Sequence, residues 1–199
     1  MQPGGFDQRA KEWDALPRRV QNALEIARAI QLHVQLQPTM QVVDFGVGTG
    51  LLGLEVAKKV QKLYGIDTSS VMLEEFQKKK SNTCNIEAIC KDVTKEECSL
   101  KVDGIISSMT LHHIENIPQL FEKFYTMLKK DGFIALADLA SEDGSFHLDN
   151  TGVYHFGFSC EYLSKIAKET GFKSITCTTT HTIEKPHKSF DVILLFAKK

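Results

Sequence analysis

The sequence predicts an α/β protein built on a doubly wound, mostly parallel sheet, and three observations carry that prediction. Runs of strand type alternate with runs of helical spacing from Gln41 onward, with no low-complexity linker or internal repeat between them. A glycine-rich loop, GVGTG from Gly46 to Gly50, breaks out of the first apolar strand-type run and leads straight into an apolar-rich stretch over 51–60. The chain closes on two β-rich runs joined by a stretch around Pro186 that is too short for a crossover, so those two strands must be antiparallel.

The elements follow in order. Over 18–35, Val20, Leu24, Ala27, Ile30 and Val34 recur at helical spacing, with Pro17 at the start and Pro38 beyond the end, which predicts an amphipathic helix packed on the sheet. After the first strand and its loop come a helix to about residue 59, a strand over 62–66 and a helix over 70–80 that Ser69 caps. Strands are expected over 86–89 and 102–107. The next helix starts at Asn116 and Pro118, is carried by Leu120, Phe121, Phe124 and Leu128, and is expected to stop at Gly132 before a fifth strand over 133–137. Ser159 caps a helix that Gly171 ends, and the final strands cover 175–182 and 191–197.

Composition bounds the function. A chain of 199 residues that is 42% hydrophobic buries a full core, and 1–199 reads as one domain. A formal net charge of −1 gives no general attraction for nucleic acid or an anionic membrane, so a small-molecule partner fits better. The opening residues MQPGGFDQRAKEW lack the apolar core of a signal peptide, and a cytoplasmic location is expected. The five cysteines, Cys84, Cys90, Cys98, Cys160 and Cys177, are odd in number and form no C-x-x-C pair, which predicts reduced structural thiols.

Two ligands compete for the glycine loop. Gly48 to Gly53 satisfies G-x-G-x-x-G, and Asp67 follows near the distance at which an acid accepts hydrogen bonds from a ribose diol, as in dinucleotide sites. The register argues against a dinucleotide: the glycine directly after the strand is Gly46, and counted from there the third glycine falls one position early. Asp44, inside the motif, would repel a pyrophosphate but favour a ligand carrying an ammonium or a sulfonium.

The ordered set DFGVGTG from Asp44 to Gly50, GID ending at Asp67, KDV from Lys91 to Val93 and DGIISSMTLHH from Asp103 to His113 resembles the successive motifs of class I S-adenosylmethionine-dependent methyltransferases. The likeness covers roughly residues 40–199 and is greatest to the bacterial small-molecule enzymes related to quinone biosynthesis. It implies a seven-stranded sheet in the order 3-2-1-4-5-7-6, with S-adenosylmethionine as cofactor and S-adenosylhomocysteine as product. Gly46, Val47, Gly48 and Gly50 would then form the cofactor loop, with Asp44 near the methionine ammonium. Asp67, ending its strand at the surface, would hold the ribose hydroxyls and Thr68 and Met72 would flank the adenine. Asp92 and the Val93 backbone would read its edge, while Ser107 and Ser108 would line the methionine end. The N-terminal part, 1–38, resembles the lid and first helix of such enzymes, with Phe6 and Trp13 closing over the cofactor. Its alternative is a frayed end with Trp13 packed on the core.

The acceptor is expected at the insert over 140–158, which follows the fifth strand at the ligand-binding end and interleaves Phe146, Tyr154, Phe156 and Phe158 with polar groups. An acceptor that carries a proton needs a base, and His112, His113, His147 and His155 are the candidates. His33, His181 and His187 read as structural or exposed, and the lysines at 78–80 as a solvated helix face. No metal is expected. His147, Asp149 and His155 lack a recognised ligand spacing, and the fourth strand ends in Ser107 where metal-dependent catechol-type methyltransferases carry an acid. Without an NPPY or DPPY after that strand, or a Pro-Cys pair, methylation of adenine, protein glutamine or cytosine is disfavoured. The expected assembly is a monomer or homodimer. A nicotinamide-dependent oxidoreductase and a non-catalytic S-adenosylmethionine-binding subunit are the alternatives.

Overall fold

The computed structural model describes residues 7–81, 85–186 and 188–199; Phe6, Cys84 and His187 lie outside them. A 3-10 helix over Asp7–Ala15 leads into α1, Pro17–His33, after which the strands and helices alternate. They are β1 Gln41–Phe45, α2 Gly53–Ala57, β2 Lys62–Asp67, α3 Ser70–Gln77, β3 Ile86–Cys90, β4 Val102–Ser108, α4 Ile117–Met127, β5 Leu128–Leu139, α5 Cys160–Thr170, β6 Lys173–Lys185 and β7 Lys188–Lys198. The sheet has seven strands in the order β3-β2-β1-β4-β5-β7-β6, with β7 antiparallel to both of its neighbours. Both the order and the antiparallel end agree with expectation.

Neighbouring residues of the central strands point to opposite faces, and both faces are covered. Val43, Ile105 and Ile134 pack into a cluster with Phe121, Phe124, Leu163 and Phe172, while Val42, Ile106 and Ala135 pack with Ile26, Ile30, Val56 and Phe76. A strand buried on both faces needs an unbroken apolar run, which is why β1 and β4 read as VV and II rather than as alternation. Side-chain oxygens cap three of the helices: Ser69, Asn116 and Ser159 accept from the N–H groups of Met72, Gln119 and Tyr162. Gly171, at φ 106°, ends α5 in the left-handed conformation expected of it.

Several boundaries differ from the sequence reading. The helix after the glycine loop is confined to Gly53–Ala57. Helix α4 ends at Met127 rather than Gly132, because Leu128 already pairs with Val102 as the start of β5. Lysine side chains from outside the helix complete that end: Lys101 Nζ donates to the Thr126 carbonyl at 2.6 Å, and Lys199 Nζ to those of Tyr125 and Leu128 at 2.5 and 2.9 Å. The last two strands are also longer than expected.

The cysteines require a correction. Cys160 and Cys177 form a disulfide with Cα atoms 5.5 Å apart, joining the first residue of α5 to β6. Their separation of 17 residues has no local signature, and only the packing of α5 beside the terminal hairpin brings them together. Cys90 and Cys98 are free thiols.

Phe124 is fully buried and meets Phe45 edge-on, with ring centroids 5.2 Å apart, directly below the start of the glycine loop. Phe124→Ala is expected to destabilise the fold by about 3–5 kcal/mol in urea unfolding. A loss below about 1 kcal/mol would show that this face of the sheet is not tightly packed there.

Candidate functional site

The strand order reverses between β1 and β4, so the loops after these two strands diverge and leave a crevice at their carboxyl ends. Gly46, Gly48 and Gly50 all have positive φ, at 70°, 52° and 89°. The loop is anchored from beneath, with the Gly46 and Val47 N–H groups donating to the Ile66 carbonyl at 2.8 and 3.1 Å. A Cβ on Gly46 would collide with Thr110, and one on Gly50 with Phe76. A Cβ on Gly48 would meet nothing within 4 Å, so this residue borders open space. Val47 points into the core at 6% exposure, so its contribution to a ligand would come from its backbone.

Asp67 ties this loop to the next one. Its Oδ2 accepts from Gly48 N–H at 2.8 Å and its Oδ1 from Ser69 N–H at 2.9 Å. It is not a surface carboxylate: burial raises its pKa, against hydrogen bonds from Ser69, Gly48 and Thr68 that favour the charged form. Asp44 is buried outright at 2% exposure. Burial, and next the charge of Asp67, push its pKa well above the ordinary value, opposed by a hydrogen bond from the Gly53 backbone. An added Cβ on Gly53 would lie 2.6 Å from the Asp44 carboxyl, so residue 53 must be glycine for α2 to begin this close. A buried acid and a half-buried one in one crevice make a site for a cationic ligand and a poor one for a pyrophosphate.

Other expected cofactor residues are placed less directly. Thr68 is exposed near the crevice, whereas Met72 is 2% exposed under the N-terminal segment. Asp92 is committed locally: its Oδ1 accepts from Thr94 and its Oδ2 pairs with Lys95 at 2.8 Å. Burial works against its charge, but the Lys95 and Thr94 hydrogen bonds outweigh it and hold the pKa low. Val93 is buried beside it. Ser107, expected to line the methionine end, is fully buried and donates its hydroxyl to the Phe45 carbonyl at 2.7 Å, joining β4 to β1. Ser108 is half-buried, and its carbonyl accepts from Thr110.

The N-terminal 3-10 helix lies across the loop. Thr49 Oγ1 donates to Asp14 at 2.6 Å, Ser69 Oγ donates to Asp7 at 2.5 Å, and Lys79 Nζ bridges Asp14 and the Thr49 carbonyl. Lys79 is therefore a clamp and not part of a solvated face, although Lys78 and Lys80 are exposed as expected. Trp13 is half-buried, with the Arg19 guanidinium 3.6 Å from its ring centroid. Nothing in the charge pattern marked Lys79 or Asp14, because their pairing depends on the fold of the N-terminal segment.

Across the crevice, a 3-10 turn over Leu111–His113 follows β4. His112 is 1% exposed; its Nδ1 donates to Asp138 Oδ1 at 2.6 Å and its backbone N–H to Asp138 Oδ2 at 3.2 Å. His113 Nδ1 donates to the Gly152 carbonyl at 2.7 Å. His147 reaches in from the insert, its ring centroid 4.9 Å from that of His112 and 5.8 Å from that of His113. Burial, then the neighbouring His112, lowers the pKa of His113. Burial, and next His112, His113 and Lys185, take His147 to about 4, so both imidazoles are neutral at pH 7. The structure thus brings together three of the four candidate histidines. His155 stands apart, its Nε2 donating to the Ile114 carbonyl at 2.9 Å and its ring 5.0 Å from Phe158. Asp149 is exposed and accepts from Thr151. Within the insert, Phe158 is core and Phe146 packs on Phe190, whereas Tyr154 and Phe156 are 57% and 46% exposed.

Residues 42–132 match the family model described as a methyltransferase domain. The chain is 34% identical over 105 residues to pavine N-methyltransferase of Thalictrum flavum subsp. glaucum, a match over 50% of this chain and 29% of that protein. It is 26% identical over 134 residues to malonyl-[acyl-carrier protein] O-methyltransferase of Acetivibrio thermocellus, over 66% of this chain and 47% of that one. The chain spans less than half the length of these relatives. Magnesium protoporphyrin IX methyltransferase of Synechocystis PCC 6803, solved with bound S-adenosylhomocysteine, superposes with a TM-score of 0.68 at 18% identity, covering 92% of this chain and 83% of that one. At that identity the likeness is one of fold. Among the described residues no helix is long and apolar enough to cross a membrane.

The raised Asp44 pKa has a stability consequence with a definite sign. The protonated carboxyl is preferred in the folded state, so the associated stability is complete below the unfolded value of about 3.9 and is lost as pH rises through the raised folded value. Asp44→Asn keeps an acceptor for Gly53 and removes the charge. The thermal midpoint of the ligand-free variant is expected to exceed that of the wild type at pH 7, with the gap narrowing toward pH 4. A lower midpoint at pH 7 would contradict this reading of Asp44.

Proposed function

We propose that the chain is a class I S-adenosylmethionine-dependent methyltransferase, on the strength of its methyltransferase-domain match and its sheet order, and that it transfers a methyl group from S-adenosylmethionine to a small-molecule acceptor. The observation that carries the proposal is the loop at the β1–β4 reversal: Gly48 borders open space at positive φ while its N–H is held by Asp67, and Asp44 lies buried beneath. The residues present fit the cofactor. Gly48 permits close backbone approach, the two acids favour an ammonium and a sulfonium, and Asp67 stands where a ribose diol would take over as donor from Gly48 and Ser69. When bound, the sulfonium would supply an electrophilic methyl and a neutral leaving group.

The protein's own contribution is alignment and exclusion of water. The N-terminal segment, held by Asp14, Lys79 and Ser69, would act as the lid on the cofactor side. Opposite it, Tyr154 and Phe156 offer exposed aromatic surface to a flat acceptor. The Tyr154 and His155 N–H groups donate to the His112 carbonyl at 2.9 and 3.3 Å, which pins this segment to the turn after β4. The neutral His147, half-buried at the rim, is the histidine best placed to receive a proton from the acceptor. A formal net charge of −1 supports a small acceptor over a polyanionic partner.

Gly48→Val tests the cofactor loop, because it fills the open space and places a β-branched residue at φ 52°. S-adenosylhomocysteine binding, measured by calorimetry, is expected to weaken at least about tenfold with an unchanged circular dichroism spectrum. Undiminished binding by the folded variant would remove the loop from the cofactor site.

A further inference from the structure

We propose that His112, His113 and His147 form a binding site for a divalent transition-metal cation of the zinc type, beside the glycine loop. One nitrogen from each residue lies within 4.8 Å of the others, on groups drawn from two separate segments of the chain. The decisive observation is His112 Nε2, which is fully buried and has no hydrogen-bond partner among the described residues. An unpaired buried imidazole nitrogen is unfavourable and calls for an occupant. His112 donates Nδ1–H to Asp138, which leaves Nε2 as its only ligand atom, with its lone pair available.

The surroundings have the form that metal-binding histidines require. Such a histidine gives its second N–H to a carboxylate or a carbonyl, which fixes the tautomer and strengthens the ligand nitrogen. Asp138 does this for His112 at 2.6 Å and the Gly152 carbonyl does it for His113 at 2.7 Å. Asp138 is itself held, accepting from the Leu139 and His112 N–H groups. Three imidazoles with a carboxylate behind one of them suit a borderline cation such as Zn²⁺ or Co²⁺, whereas Mg²⁺ and Ca²⁺ need oxygen ligands.

Metal–nitrogen bonds near 2.0–2.1 Å in a tetrahedral site place ligand nitrogens about 3.4 Å apart. The cluster must therefore close by roughly 1.4 Å at its widest pair, measured from the 4.8 Å span. His147 is the member able to move, being half-buried on the irregular segment between β5 and α5. Lys185 is the cation that opposes metal binding here, and it is engaged by the Phe146 carbonyl and lies over the Phe146 ring. Thr110, two residues before His112, packs against Gly46, so the cluster adjoins the cofactor loop. A three-histidine site leaves a fourth position open. An ionisable oxygen or thiol of the acceptor would complete it, and with the metal bound His147 would serve as a ligand and not as the base assigned to it in the metal-free protein; that role rests on the methyl-transfer reading, whereas the metal site itself does not.

The test uses the full chain without a polyhistidine tag, titrated with Zn²⁺ by calorimetry and with Co²⁺ by absorption, alongside S-adenosylhomocysteine binding. The wild type is expected to take up one equivalent of Zn²⁺ and to show Co²⁺ bands free of the thiolate charge transfer that Cys90 or Cys98 would produce. His147→Ala is expected to weaken Zn²⁺ at least tenfold, and Asp138→Asn by about 10- to 100-fold. S-adenosylhomocysteine affinity should stay unchanged in His147→Ala, which separates this site from the cofactor reading. A wild type that takes up no Zn²⁺, a His147→Ala variant that binds as tightly as the wild type, or a thiolate-type Co²⁺ spectrum would each overturn the proposal.

Discussion

The carboxylate of Asp67 is the joint on which the site depends. One of its oxygens holds the Gly48 N–H of the loop after β1, and the other holds the Ser69 N–H at the start of α3. Two loops that would otherwise move separately are thereby set against each other at the mouth of the crevice. A charged group gives these bonds more strength than a neutral acceptor would, but it has to stay ionised while largely buried, against a raised pKa. Asp44 adds to this strain, since it is deeper and its charged form is disfavoured first by burial and further by the charge of Asp67. The ligand-free crevice therefore disfavours the charged form of both acids, and a bound cation would relieve that.

The remaining parts of the site are arranged around that joint. Ser69 caps α3 through its side chain while donating to Asp7, so the cap residue also anchors the N-terminal segment. Asp14 does the same from the other end of that segment through Thr49 and Lys79. On the far side of the crevice, Asp138 orients His112, whose carbonyl receives the N–H groups of Tyr154 and His155. A carboxylate thus organises each wall, one facing the glycine loop and one facing the histidines.

Much of the fold was legible because its physics is local. The double-sided burial of β1 and β4 is written in adjacent apolar residues, and the caps at Ser69, Asn116 and Ser159 are single-residue signals. The Cys160–Cys177 bridge was not legible, because it depends on the packing of α5 against the terminal hairpin. The end of α4 was misplaced for a related reason: Gly132 looked like a stop, but pairing with β4 claims the chain from Leu128 onward. In the site, the glycines and Asp67 were visible as a motif. The structural use of Ser107 and the clamp by Lys79 were not, since the partner of each lies across the fold. Asp138 went unnoticed as well, one acid inside a strand whose role appears only when His112 is placed beside it.

The central claim is that this crevice is built for a cationic nucleoside and not for a pyrophosphate. Calorimetric titration of the ligand-free protein with S-adenosylmethionine and, separately, with NADH tests it directly. Saturable binding of S-adenosylmethionine with no heat from NADH is the predicted result. Binding of NADH without binding of S-adenosylmethionine would contradict the account.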